Sequence, residues 1–136
     1  AGHIMCMASC EDKGYFGRAV NVQEISAVTA ACMLMKAEDF RSVGGFDEEF
    51  VVAFNDIDLC MKARAAGKKV VFTPYAELYH YESKSRGMED TPEKQFRFEK
   101  ETKHFEEKWG DEMAKGDPYY NPNLSLKEAD CSLRED

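Results

Sequence analysis

Asp56 and Asp58 stand two residues apart where a stretch of helical spacing begins, and Asn55 precedes them. A carboxylate at a pocket edge can take a proton as general base. The same group at a helix N-terminus caps free backbone N–H groups and complements the helix dipole. Residue type and position alone favour the cap. His80 lies between Tyr79 and Tyr81 and leads into a polar loop holding Lys84, Ser85 and Arg86. A neutral imidazole on a loop after a strand can serve as a metal ligand, although a lone histidine between aromatics is by default a packed side chain. Lys84 as a point charge and Arg86 as a forked donor suit an anion; a solvated basic loop would need no ligand at all.

The elements that must hold these groups follow from periodicity. Val28-Thr29-Ala30-Ala31-Cys32-Met33-Leu34-Met35 is small and apolar and predicts a strand buried on both faces. Residues 37–43 predict a short helix ended by Gly44-Gly45, which supply a left-handed cap. In the stretch 56–66, Leu59, Ala63 and Ala66 line one helical face and Gly67 stops it. Lys69-Val70-Val71-Phe72-Thr73 predicts a β-branched strand ended by Pro74, and 76–81 alternates loosely as another. Thr91-Pro92 is a cap and first-turn pair for a long helix whose Phe98, Phe105, Trp109 and Met113 share a packing face.

Composition narrows the classes of function. The 136 residues are 43% hydrophobic and 32% charged, enough for one modest core. With 18 basic against 26 acidic residues the formal charge is −8, which disfavours a nucleic-acid partner. No apolar run approaches the roughly 20 residues of a membrane span. Cys6, Cys10, Cys32, Cys60 and Cys131 form no Cys-x-x-Cys pair, so reduced thiols and a cytoplasmic setting, the inner face of the plasma membrane included, are expected. Gly-x-Ser-x-Gly, Gly-x-x-x-x-Gly-Lys and Gly-x-Gly-x-x-Gly signatures are all missing.

Four blocks in order, Ser26-Ala27-Val28-Thr29-Ala30-Ala31-Cys32, Val43-Gly44-Gly45-Phe46-Asp47-Glu48, Asn55-Asp56-Ile57-Asp58-Leu59-Cys60 and His80-Tyr81-Glu82-Ser83-Lys84-Ser85-Arg86-Gly87, resemble family 2 glycosyltransferases. The run Gly116-Asp117-Pro118-Tyr119-Tyr120-Asn121-Pro122-Asn123 is similar to the ending of bacterial members. The resemblance implies a partial α/β domain of the GT-A fold, a mixed sheet with flanking helices, in which the donor-side half is missing: no Asp-x-Asp precedes the acceptor block. Residues 1–13 then read as a cloning remnant and disordered lead-in, 14–123 as the C-terminal half of the domain and 124–136 as a charged tail.

The resemblance also implies roles. Asp56 would be the general base that deprotonates an acceptor hydroxyl in an inverting transfer from a nucleotide-diphosphate sugar. Asn55 and Thr29 would contact the acceptor, a glycan or another hydroxyl compound, and Asp58, in the first helical turn where the dipole favours a negative charge, would be either structural or a further acceptor contact. His80 would be a ligand of a divalent metal, manganese or magnesium, and Lys84, Ser85 and Arg86 would hold the departing diphosphate. One departure stands out: the family pattern has Glu-Asp where this chain has Asn55-Asp56, so the base is kept and its acidic neighbour is not. In their turn, Tyr119 and Tyr120 are candidates for sugar stacking. The chain is expected to be inactive by itself and to pair with another copy through an exposed sheet edge. Two rival readings are a non-catalytic module binding glycan or protein, and a metal-assisted hydrolase built on Asp56, Asp58 and His80.

Overall fold

In the computed structural model residues 4–5, 8–81, 91–128 and 130–135 are described. Two short strands, β1 (Gln23–Glu24) and β2 (Val71–Phe72), and three helices, α1 (Ala37–Ser42), α2 (Asn55–Ala65) and α3 (Pro92–Ala114), carry the fold. β1 pairs antiparallel with β2, Gln23 opposite Phe72 and Glu24 opposite Val71. Ile25 N–H donates to Val70 O at 3.0 Å and extends the pairing by one bond. The result is a small mixed α/β domain with a two-stranded sheet.

Local chemistry explains the helix ends. Gly44 and Gly45 take φ of 85° and 66°, so the chain leaves α1 through left-handed residues that only glycine adopts without strain. A side chain at Gly45 would also meet the Phe40 ring at 3.1 Å. Thr91 caps α3, its hydroxyl accepting from Lys94 N–H, and Pro92 fills the first turn.

The expected strand at 28–35 is a correction. The segment instead makes a single 3-10 turn, Ala30–Cys32, and Leu34 is 100% exposed. A strand buried on both faces needs partners on either side, and among the described residues nothing pairs with this one. The second expected strand, 76–81, is not formed as a strand either, and Leu78, Tyr79 and Tyr81 are exposed. The charged tail is partly packed. Leu124, Ser125 and Cys131 are buried, Leu124 bridges to Leu133, and Ser125 N–H donates to Ser132 O at 2.8 Å.

The core sits where α2 and α3 meet the loop 46–54. Phe50, Leu59, Cys60, Ala63 and Phe105 are its buried apolar members, joined by two buried carboxylates, Asp58 and Glu101. Phe54 lies between the rings of Phe98 and Phe105, stacked at 5.7 and 4.9 Å. Phe50 meets Phe105 edge-on at 6.1 Å and the His104 ring at 4.7 Å. Aromatic contacts of this kind add to the area they bury.

Candidate active site

The first turn of α2 is the centre of the candidate site. Asp56 points its carboxylate at the segment before α1: Oδ2 accepts the Ala30 N–H at 3.0 Å, while Oδ1 accepts the Ile57 N–H at 2.9 Å. Thr29 caps the 3-10 turn next to it, accepting from Ala31 N–H at 3.4 Å. A thiol tie from Cys60 to Val28 O, 3.8 Å long, fastens the same segment one turn further along α2. The fold therefore brings Thr29 beside Asp56, residues 27 positions apart. Asn55, half-buried, opens the helix. The cap reading of Asp56 is half met, since one oxygen serves its own helix and the other reaches across to a different segment.

Asp58 is placed differently from Asp56. It is 0% exposed. Its Oδ1 accepts the Trp109 indole N–H and a Lys108 ammonium proton, each at 2.8 Å, and Lys62 forms an ion pair with Oδ2 at 3.0 Å. In this chain the carboxylate is enclosed by protein, with Trp109, Lys108 and Lys62 around it. Burial alone would raise its pKa, but the bonds from Lys108, Trp109 and Lys62 outweigh burial and hold it below the usual carboxylate range. Lys108 also reaches Asp47 at 2.6 Å, and His104 lies 3.3 Å from the same oxygen. The Lys108 bond, with help from the Glu49 N–H and His104, drives the Asp47 pKa far down against a smaller opposing effect of burial. Lys62 completes the network by donating to Gly45 O at 2.6 Å, which ties the exit of α1 to α2.

His80 is exposed, in the irregular segment that follows β2. Lys84, Ser85 and Arg86 lie outside the described residues. Among the described residues, no three His, Cys, Asp or Glu side chains are grouped as a metal ion requires. Asp56, Asp58 and His80 thus make no shared ligand set among the described residues. Tyr119 and Tyr120 are likewise committed internally. The Arg64 guanidinium lies over the Tyr119 ring at 5.5 Å and Arg18 over Tyr120 at 5.9 Å. Their hydroxyls donate to Glu24 and to Ser125 O.

Glu101 is the site residue that the sequence reading missed. It is 1% exposed and accepts three consecutive backbone N–H groups from the loop before α2: Val51 at 3.1 Å and Val52 at 3.2 Å on Oε1, Ala53 at 2.6 Å on Oε2. The available signal was a carboxylate on the same helical face as Phe98 and Phe105, three and four residues away.

Known proteins resemble this chain in part. It is 53% identical over 134 residues to the uncharacterized protein y4gI of Sinorhizobium fredii (strain NBRC 101917 / NGR234), covering 98% of this chain and 15% of that protein. It is 39% identical over 126 residues to the O-antigen biosynthesis protein RfbC of Myxococcus xanthus, covering 88% of this chain and 9% of RfbC. It is 35% identical over 60 residues to an N-acetylglucosaminyl-diphospho-decaprenol L-rhamnosyltransferase of Mycobacterium tuberculosis, covering 44% of this chain and 20% of the enzyme. The chain thus spans 20% or less of the length of each of these relatives. These similarities support a fragment of a glycosyltransferase. No family model matches the chain, and no solved structure does. No helix among the described residues is long and apolar enough to cross a membrane.

Proposed function

We propose that this chain is the acceptor-side part of a family 2 glycosyltransferase of the GT-A fold, with Asp56 as the general base of an inverting transfer. The observation that carries the reading is the Asp56 carboxylate reaching out of its own helix to Ala30, with Thr29 beside it. In the reaction, the acceptor oxygen attacks the anomeric carbon as its proton passes to Asp56, and the bond from that carbon to the diphosphate breaks. Positioned base catalysis of this kind contributes on the order of 10²–10⁴ in rate. Asn55 and Thr29 would orient the acceptor, and Lys84, Ser85 and Arg86 would carry the charge of the departing diphosphate by hydrogen bonds and point charge. The Mycobacterium tuberculosis relative is named as an L-rhamnosyltransferase, which makes a nucleotide-activated rhamnose the donor to try first.

A divalent ion of the Mn or Mg type takes several oxygen or nitrogen ligands, and His80 by itself supplies one. Among the described residues no three His, Cys, Asp or Glu side chains are grouped to hold such an ion, and its further ligands would come from the rest of the complete enzyme. The donor half is likewise assigned to residues outside this chain.

Calorimetric titration with UDP, GDP and dTDP, with and without manganese, tests the reading directly. No binding is expected from the isolated chain. Metal-dependent binding at micromolar concentration would put the donor site within these residues and overturn the fragment assignment. Glycan binding indifferent to nucleotide and metal would favour a non-catalytic binding module instead. In the complete transferase, Asp56→Asn is expected to lower kcat by about two orders of magnitude or more; a kcat within a few-fold of the parent would remove Asp56 as base.

A further inference from the structure

The buried carboxylate of Glu101 sets the direction of the Asp56 carboxylate, and we propose that Glu101 is a positioning residue for the acceptor-activating end of α2. The functional half of this inference rests on the role of Asp56 proposed above. Three successive N–H groups, those of Val51, Val52 and Ala53, converge on the two Glu101 oxygens. A backbone turned so that consecutive amides face one anion is an anion-binding nest, and here the anion belongs to α3. The loop has little reason of its own to take this shape. Val51 and Val52 are β-branched and favour extended backbone. Phe54 is left-handed at φ 64°, a conformation that bulky residues avoid unless their surroundings impose it.

What imposes it is α3. Glu101 collects the loop amides, and Phe98 and Phe105, three residues before and four after it on the same face, hold the Phe54 ring. Phe54 occupies the cap position of α2 and gives no side-chain cap bond, so the helix start is not fixed by its own sequence. The first turn therefore inherits its orientation from the Glu101 nest, and with it the reach of Asp56 Oδ2 to the Ala30 N–H. A carboxylate buried this completely is costly to keep charged; the three amides and the nearby Arg97, Nε 3.6 Å away, compensate it.

The Ala30 amide reports on Asp56 and makes the inference testable in the 136-residue chain. By NMR the Ala30 amide shift reports its hydrogen bond to Asp56 Oδ2, and Asp56→Asn identifies that contribution by the change it makes there. Glu101→Gln keeps the side-chain shape but turns an NH₂ toward an N–H donor. It is expected to move the Ala30 amide toward its position in Asp56→Asn while the α1 amides keep their wild-type shifts. A folded Glu101→Gln chain with the Ala30 amide at its wild-type position overturns the proposal, because a merely stabilising glutamate would leave that signature in place. Should Glu101→Gln fail to fold, amide exchange in the wild-type chain decides. Shared protection of Val51, Val52, Ala53 and Ala30 supports coupled placement; an unprotected Ala30 beside a protected loop sinks it. Neither readout involves sugar transfer, so failure of the transferase reading, seen in the Asp56→Asn kinetics, is distinguishable from failure of this one.

Discussion

Asp58 and Asp56 are two residues apart, yet one is sealed in protein and the other reaches across to a second segment. The difference comes from α3, whose Lys108 and Trp109 close over Asp58. Removing one member of a buried charged set leaves the others uncompensated, so Asp58→Ala should cost about 3–5 kcal/mol, read from urea unfolding. The acid response follows from the same groups. Asp47 and Asp58 both have folded-state pKa values below the ordinary carboxylate value of about 3.9. Groups depressed on folding contribute stability that is full above the unfolded value and lost as pH falls through the folded one. Unfolding free energy should therefore drop as pH is taken below about 4, and the deficit of Asp47→Asn relative to wild type should shrink over the same range. A deficit of constant size down to pH 2.5 would show that the Asp47–Lys108 pair contributes nothing to that loss. None of this was legible from the spacing of Asp56 and Asp58, because the partners that separate their roles arrive some fifty residues later in the chain.

At the scale of elements, the three helices were readable and their joints were not. Glycines and caps give clear local signals: Gly44-Gly45, Gly67 and Thr91-Pro92 mark ends that the structure keeps within a residue or two. The packing face of α3 was read as Phe98, Phe105, Trp109 and Met113, and Phe105 is its most deeply buried member, at 6% exposed. Met113 is 48% exposed, and the face is centred instead on Glu101 and Phe105. A glutamate at that position looks like solvent-facing charge until the loop 51–53 is known to bring three amides to it. The aromatic pattern yields a paired expectation. Phe105→Ala should cost about 3–5 kcal/mol, the usual range for emptying a packed aromatic site. Phe96→Ala, at a ring 72% exposed on the same helix, should stay within about 0.5 kcal/mol of wild type. Thermal melts followed by circular dichroism at 222 nm distinguish the two, and equal losses would mean that the helix is held by something other than this face.

For the whole molecule, the weak point of the sequence reading was the sheet, and the error has a physical cause. Residues 28–35 have the composition of a strand buried on both faces, but burial requires neighbouring strands, and β1 with β2 is the entire sheet among the described residues. The composition of 28–35 is therefore consistent with the larger domain proposed above. Apolar side chains stand exposed on the chain: Leu34 at 100%, Tyr79 at 89%, Phe16 at 88% and Tyr75 at 86%. Exposed apolar surface and unpaired backbone drive association, whereas a net charge of −8 opposes it by mutual repulsion. Salt decides between them, since screening shortens charge repulsion to about 8 Å at physiological ionic strength and leaves hydrophobic contact intact. Sedimentation velocity should accordingly show the chain shifting from monomer toward dimer and larger species as salt rises, and Leu34→Lys should move that transition to higher salt and protein concentration. A chain that stays monomeric at high salt and millimolar concentration would mean that these side chains are adequately solvated as they stand. The case for missing strands would then rest on composition alone.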